Sequence, residues 1–426
     1  MSTCAIVGIN WGDEGKGRMV DLLAESYDLV VRYQGGSNAG HTVINDFGKF
    51  ALNLMPSGIF RKNVINILGN GVALDPEHLC GEIEKLRKAG VTITPENLKI
   101  SDKASIVFPF HKAQDALEEE RLAGKKYGST KRGIAPIYSD KYQKKTLQMG
   151  EIRYPEYMKS RLHDILEWKN LILGGVYGSE KYTDEAMWEW IEKYLVPLKD
   201  HICDTGAIIE KAQKEGKSIM FEAQLGALKD IDYGIYPYTS STSPLARYAP
   251  LGSGAPWVTV DSCVGVTKAY STCVGEGPFV GEWFGEEADK LREAGGEYGA
   301  ATGRPRRVGP IDLVATRYGV KVQAATEIAI TKLDVLSYMD KIPMITAYKL
   351  KDGTITRDFP FTPELYDAEA VVEYMDGFRC DVTKVHRYED LPAAARKYIE
   401  YVEKTIECPI TYVSVGPNRD EIIVRK

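Results

Sequence analysis

CAIVGINWGDEGKGRMVDLL, residues 4–23, is the stretch on which the fold turns. CAIVGI is an apolar, partly β-branched run that reads as a strand buried on both faces. It breaks at a glycine-rich turn and resumes as KGRMVDLL, whose apolar residues recur at helical spacing. Gly12, Gly15 and Gly17 permit backbone conformations in which N–H groups converge on an oxyanion, and Lys16 and the helix N-terminus add positive charge. A strand, an anion-binding turn and a helix in that order are the opening expected of an α/β fold.

The turn resembles a P-loop but departs from it, because Gly17 stands where a Ser or Thr would hold magnesium. Asp13 is the odd residue. A carboxylate among amides aimed at phosphate repels that phosphate unless a metal or a proton transfer engages it; the plainer alternative is that Asp13 caps the helix.

Working outward, YDLVVRY, NVINIL, SIMFEA, PWVTV, EIAITKL, PMITAY and PITYVSV read as further strands. Between them PEHLCGEIEKLRKAG, TDEAMWEWIEKYL, DTGAIIEKAQKEG, GEEADKLREAG and LPAAARKYIEYVEKTI carry helical periodicity. The alternation predicts an α/β fold around a largely parallel sheet. No Pro/Gly/Ser linker divides the chain, which is read as one unit over residues 1–426. Two polar loops, 124–136 and 295–310, mix glycine with Arg and Lys and are expected to be mobile and to close over anions.

Composition bounds the partners. With 426 residues, 44% hydrophobic and 27% charged, the chain can bury a large core, and its net charge of -6 argues against a general nucleic-acid binder. The seven cysteines form no CxxC pair, so reduced thiols and the cytoplasm are expected. No apolar run approaches the roughly 20 residues that span a bilayer.

Three other segments carry chemistry. YDLVVRYQGGSNAGHTV, residues 27–43, ends a strand in glycines and brings Asn38, Gly40 and His41 into a loop at a strand's C-terminal end. EIAITKLDVLS, residues 327–337, ends in Lys332, Leu333 and Asp334, spaced like the base-reading element of GTPases. A carboxylate there accepts from N1–H and the 2-amino group of guanine, whereas adenine N1 offers a lone pair, and sites of this kind discriminate by roughly 10⁴-fold. ATGRPRR, residues 301–307, presents Arg304, Arg306 and Arg307 as guanidinium forks for carboxylate or phosphate. In residues 218–241, Gln224 and the Ser/Thr cluster are candidate ligand contacts.

WGDEGKG, VVRYQGGSNAGHTV, PSGI, LGNGV, the GST, RGIAP and YSDK pieces, DIDYGIYPY, KAYST, GEYGA, TGR, ITKLDVL and SVGP stand together in an order that resembles the adenylosuccinate synthetase family, from residue 4 to about 424. The resemblance implies a large mixed, mostly parallel sheet flanked by helices, a P-loop-like GTP-binding ligase, and a homodimer. It implies the reaction IMP + L-aspartate + GTP → adenylosuccinate + GDP + phosphate, with magnesium held by Asp13 and the carbonyl of Gly40. Asp13 would take the N1 proton of IMP, His41 would stabilise the transferring phosphoryl group, and Lys16 and Gln224 would assist. GTP contacts would come from Gly12, Asp13, Glu14, Gly15, Lys16, Gly17, Arg18, Gly40, His41, Thr42, Arg306, Lys332, Leu333, Asp334, Ser414, Val415 and Gly416. IMP would meet Asp13, Lys16, Asn38, Ala39, Gly40, His41, Thr130, Gln224, Leu225, Ser240 and Arg304, with Lys144 reaching the partner subunit's nucleotide. L-Aspartate would sit on Ala301, Thr302, Gly303 and Arg304.

Some positions depart from the family's commonest pattern. Its glutamine position holds Leu225, with Gln224 one residue earlier; Ala301, Ser240, Lys144 and Pro310 replace Thr, Thr, Arg and Trp. These departures leave two rivals standing: the same chemistry on another 6-oxopurine nucleotide such as dGMP, and a nucleotide-binding paralogue without turnover.

Overall fold

The structure, a computed structural model, describes residues 2–45, 47–299 and 303–425. Ten strands form one sheet: β1 (Thr3–Gly8), β2 (Leu29–Arg32), β3 (Ile65–Leu68), β4 (Leu98–Ser101), β5 (Ile202–Cys203), β6 (Ile219–Gly226), β7 (Ser262–Lys268), β8 (Glu327–Thr331), β9 (Ile410–Ser414) and β10 (Ile422–Val424). Their order is β10-β9-β8-β7-β1-β6-β2-β3-β4-β5. Every neighbouring pair is parallel except β9 with β10, so the mixed, mostly parallel sheet expected from the sequence is present.

The period of two along β1 explains why it is central. Ala5 and Val7 pack on one face with Val31 and Phe221, while Cys4 and Ile6 pack on the other with Met19, Val20 and Ala24, contributed by or adjoining helix α1 (Lys16–Leu23). Burying each such aliphatic side chain contributes about 1.5–3 kcal/mol, so the strand that launches the glycine turn is among the most firmly held elements. A smaller sheet of Ile311–Asp312, Lys341–Lys349, Ile355–Thr356 and Glu369–Asp376 lies apart from the main one. Longer helices surround the sheets, the longest being Pro155–Tyr177.

Two expectations are corrected. PWVTV is not a strand: Pro256 lacks a backbone N–H and Trp257 is 55% exposed, and the strand is the next segment, Ser262–Lys268. The two polar loops are shorter than expected, because Gly133 caps a helix over Ile134–Tyr142 and Arg307–Gly309 pairs with Ser271–Cys273. All seven cysteines are unpaired. Among the described residues, no helix is long and apolar enough to cross a membrane.

Candidate active site

Because these strands run parallel, the loops leaving β1, β2, β6, β7, β8 and β9 open on one edge, and the candidates on the turn after β1, the loop after β2 and the end of β8 lie there. After β1 the backbone turns through Gly12 (φ 103°), Asp13 (φ 60°) and Gly15 (φ 99°). Asp13 is a non-glycine residue in the left-handed region, a strained conformation. It is not the cap of α1: that residue is Gly15, which offers no side-chain cap. Asp13 Oδ2 instead lies 2.9 Å from Arg306 Nε.

Glu14 is buried and folds back on its own turn, accepting from the backbone N–H groups of Asn10 (3.1 Å) and Gly12 (2.7 Å). Its second oxygen accepts from Lys16 Nζ at 2.6 Å. The lysine predicted to face phosphate is thus parked on a carboxylate at the rim of the turn, where a more highly charged anion competes for it.

His41 opens the hairpin His41–Asn45 and Gly48–Leu52 and packs on the first turn of α1. A Cβ on Gly17 would stand 2.5 Å from His41 Cδ2, so the residue that breaks the P-loop pattern is glycine because the imidazole occupies the space. His41 Nε2 lies 2.8 Å from Ser57 Oγ, which also donates to Glu222 Oε1 at 2.9 Å, and Nδ1 faces Arg32 Nη1 at 3.4 Å. Arg32 in turn is paired with Glu222 at 3.1 Å. These partners place the proton on Nε2, and burial pushes the histidine down to about 4, so it is a neutral donor at physiological pH.

Gln224 is buried, and its side chain binds the neighbouring loop: Nε2 donates to the carbonyls of Gly36 (2.8 Å) and Asn53 (2.7 Å), with Ala39 at 3.4 Å, and Oε1 accepts from Gly36 N at 3.2 Å. A bulge in the β1–β6 pairing, from Ile6–Glu222 to Gly8–Gly226, accompanies this inward turn, and Leu225 takes a positive φ of 62° beside Gly12. Asn38 also serves its loop, its Oδ1 accepting from Gly36 N. Gly40 is exposed at the loop's end.

At the end of β8, Lys332 (φ 61°) precedes a short turn containing the buried Leu333 and the half-buried Asp334. Asp334 Oδ1 is buried without a hydrogen-bond partner, and burial raises its carboxyl above the ordinary range. An orphaned buried acceptor of this kind calls for a ligand N–H. Beside it Arg18 donates to Ser414 Oγ and the Gly416 carbonyl, both at 2.5 Å, holding the buried Val415 segment after β9 against α1.

The remaining candidates lie at the rim. Thr130 is exposed, on a loop anchored by Asp115, which accepts from Ser129 Oγ (2.6 Å) and Gly133 N (2.8 Å). The Ser240 hydroxyl is buried without a partner. Arg304 is exposed, 3.7 Å from Glu276, and Gly303 has a positive φ. Lys144 is exposed, just past the helix Ile134–Tyr142. Ala301 and Thr302 lie outside the described residues, and nothing is described of the Thr42 side chain. Ser57, Glu222, Arg32, Asp115 and Glu297 were not singled out from the sequence. Arg32, Ser57, Glu222 and Glu297 lie inside quoted segments, which is their only signal, and Asp115 has none, since their roles depend on contacts between distant segments.

Among the described residues no cluster of three or more metal-binding side chains exists. The Asp13 carboxylate and the Gly40 carbonyl are nonetheless hard oxygen donors of the kind magnesium takes, with water and phosphate supplying its other positions.

A parallel sheet whose carboxyl edge gathers a glycine turn with lysine, a neutral histidine and an unpaired carboxylate at a strand end defines a P-loop-like nucleotide-binding ligase. The family model described as adenylosuccinate synthetase matches residues 5–423, and the chain belongs to that family. It is 44% identical to the adenylosuccinate synthetase of Caldanaerobacter subterraneus over 100% of this chain and 99% of the relative. It is 43% identical to adenylosuccinate synthetase 2 of Pseudoalteromonas translucida over the whole of both. The fully ligated adenylosuccinate synthetase of Plasmodium falciparum superposes with a TM-score of 0.93 at 34% identity, covering 100% of each chain. A cyanophage succinoaminodeoxyadenylate synthetase, bound to dGMP and dATP, has a TM-score of 0.62 at 18% identity over 99% of this chain and 95% of that one, a likeness of fold alone.

Proposed function

We infer that this chain ligates L-aspartate to IMP at the expense of GTP, giving adenylosuccinate, GDP and phosphate. The observation that carries the reading is the meeting, on one sheet edge, of Asp13 at the glycine turn and Asp334, one of whose oxygens is buried without a hydrogen-bond partner, at the end of β8. In this reading one carboxylate removes a proton and the other reads the guanine base.

The 6-oxygen of IMP is a poor leaving group, so it must first be activated. Asp13 takes the N1 proton, the electron pair moves to O6, and O6 attacks the γ-phosphorus, expelling GDP and leaving 6-phosphoryl-IMP. Arg306 holds the Asp13 carboxylate in place at 2.9 Å. Lys16 leaves Glu14 for the polyphosphate, and His41, neutral and carrying its proton on Nε2, exchanges Ser57 for the phosphoryl oxygens. The amine of L-aspartate then attacks C6 and phosphate departs with its oxygen. The Asp13 carboxylate and the Gly40 carbonyl would hold magnesium, whose charge would offset that of the phosphates. Asp334 accepts from the guanine N–H groups. Arg304, Thr130, Asn38 and Ser240 line the IMP side.

We place the chain in the cytoplasm as a homodimer with Lys144 reaching the partner's nucleotide. Supporting this are seven unpaired cysteines, an exposed Lys144 and the 81% exposed Tyr142 two residues before it. Sedimentation of the purified protein at micromolar concentration reads the oligomeric state directly.

The function is tested by following product mass with magnesium, L-aspartate and either GTP or ATP, in parallel on IMP and dGMP. Adenylosuccinate from IMP with GTP is expected. Preference for dGMP or ATP overturns the substrate assignment, and no product from any combination overturns the reading.

A further inference from the structure

Glu297 is completely buried, yet it carries a full set of charged partners. Its Oε1 accepts from Lys268 Nζ (2.8 Å), Lys332 Nζ (2.9 Å) and the Tyr270 hydroxyl, and its Oε2 accepts from Arg306 Nη1 (2.8 Å). A buried carboxylate is strongly unfavourable without such partners; burial here pushes the carboxyl up, but Lys268 and Lys332, with the Tyr270 hydroxyl, hold it well below the usual carboxylate range.

The positions of those partners are what give the cluster meaning. Lys268 is the last residue of β7, Lys332 follows β8, and Arg306 reaches Asp13 in the turn after β1. β8, β7 and β1 are consecutive in the sheet, so Glu297 joins the carboxyl ends of β7 and β8 directly and, through Arg306, reaches the turn after β1. Arg306 is shared: Nη1 sits on Glu297 and Nε on Asp13. Lys332 is two residues from the orphaned Asp334. Charge balance alone would be met by any acid in the cluster. The bidentate division, one oxygen toward the base-reading turn and the other toward Arg306, also requires the length of a glutamate.

We propose that Glu297 is a positioning residue that sets Arg306 on Asp13 and Lys332 beside Asp334, so that the proton-accepting and purine-reading carboxylates are placed relative to one another. This rests on the roles given to Asp13 and Asp334 above.

The test uses full-length Glu297→Gln and Glu297→Asp, the second keeping the buried charge while shortening the reach by one methylene. Steady-state kinetics with GTP, IMP and L-aspartate varied separately, and calorimetric binding of GDP, are compared with the unmodified enzyme. In both variants, KM for GTP and the GDP dissociation constant are expected to rise at least tenfold and kcat to fall at least tenfold, with KM for IMP within twofold. If the Asp variant matches the unmodified enzyme, Glu297 supplies charge only and the proposal fails. A lowered melting temperature with unchanged kinetic constants, or an equal rise in all three KM values, overturns it as well. Failure of the unmodified protein to make adenylosuccinate is a different result: it overturns the functional reading and the present inference with it.

Discussion

Asp13 occupies a backbone conformation that a non-glycine residue adopts at a cost of order 1–3 kcal/mol, and only the surrounding turn keeps it there. A carboxylate held in that way is placed for chemistry rather than for stability. Asp13→Ala is expected to fold with an unchanged melting temperature while kcat falls by at least about 100-fold, the usual loss when a general base is removed; near-normal turnover would remove Asp13 from the mechanism. Gly17 offers a second test at this scale. Alanine should favour an isolated helix by about 1 kcal/mol, but here its Cβ would meet the His41 ring at 2.5 Å. Gly17→Ala is therefore expected to lower kcat tenfold or more without loss of fold. A variant as active as the unmodified enzyme would mean that the imidazole does not need this seat.

At the scale of elements, the loop after β2 is held from below by Gln224, whose amide joins Gly36 to Asn53. Removing it leaves buried backbone groups unpaired, worth about 1–3 kcal/mol. Gln224→Ala is expected to raise KM for IMP severalfold, because Asn38 and Ala39 ride on that loop, while KM for GTP stays near its starting value. Equal changes in both constants would place Gln224 in direct contact with the reaction instead. The element pattern itself was largely legible: CAIVGI, the turn and α1 stand where hydrophobic periodicity put them, as do Pro76–Lys88 and Ala393–Ile406. PWVTV failed because β-propensity reports only a fit to a half-buried pleated surface, and Trp257 is spent on an exposed contact with Gln213.

Across the whole molecule, stability should depend on acid through buried histidine. His111 is fully buried, with Nδ1 accepting from Phe108 N at 2.9 Å and Nε2 facing Asp140 at 2.9 Å, and burial pushes it down to about 4. Unfolded, it titrates near 6.5. Between those values the unfolded chain binds more protons, so stability present at neutral pH is lost as pH falls from about 6.5 to 4, up to about 3 kcal/mol for this one side chain. His41 acts in the same direction. Asp312, buried and raised to about 6, acts in the opposite one, gaining stability as pH falls through 6, and offsets part of the loss. Urea unfolding is expected to show a lower midpoint at pH 4.5 than at pH 7, with a shallower pH dependence in His111→Gln; a midpoint independent of pH would contradict the burial of neutral histidine.

By itself the amino-acid sequence determined the alternation of strands and helices, the anion-binding turn and the chemical kind of most site residues, because periodicity and glycine placement act over a few neighbouring residues. Only the tertiary structure decided which of those groups face one another. Glu14 turned inward onto its own loop and onto Lys16, Gln224 gave its amide to the backbone of a strand's exit loop, and Arg306 came to rest on Asp13. Glu297 joined Lys268 at the end of β7, Lys332 after β8 and Arg306 from a separate loop. Each of these depends on the sheet order, which places β1 between β7 and β6 although those strands are more than two hundred residues away along the chain. Long-range pairing of that kind is set by how the sheet buries its apolar faces as a whole, and no local pattern encodes it.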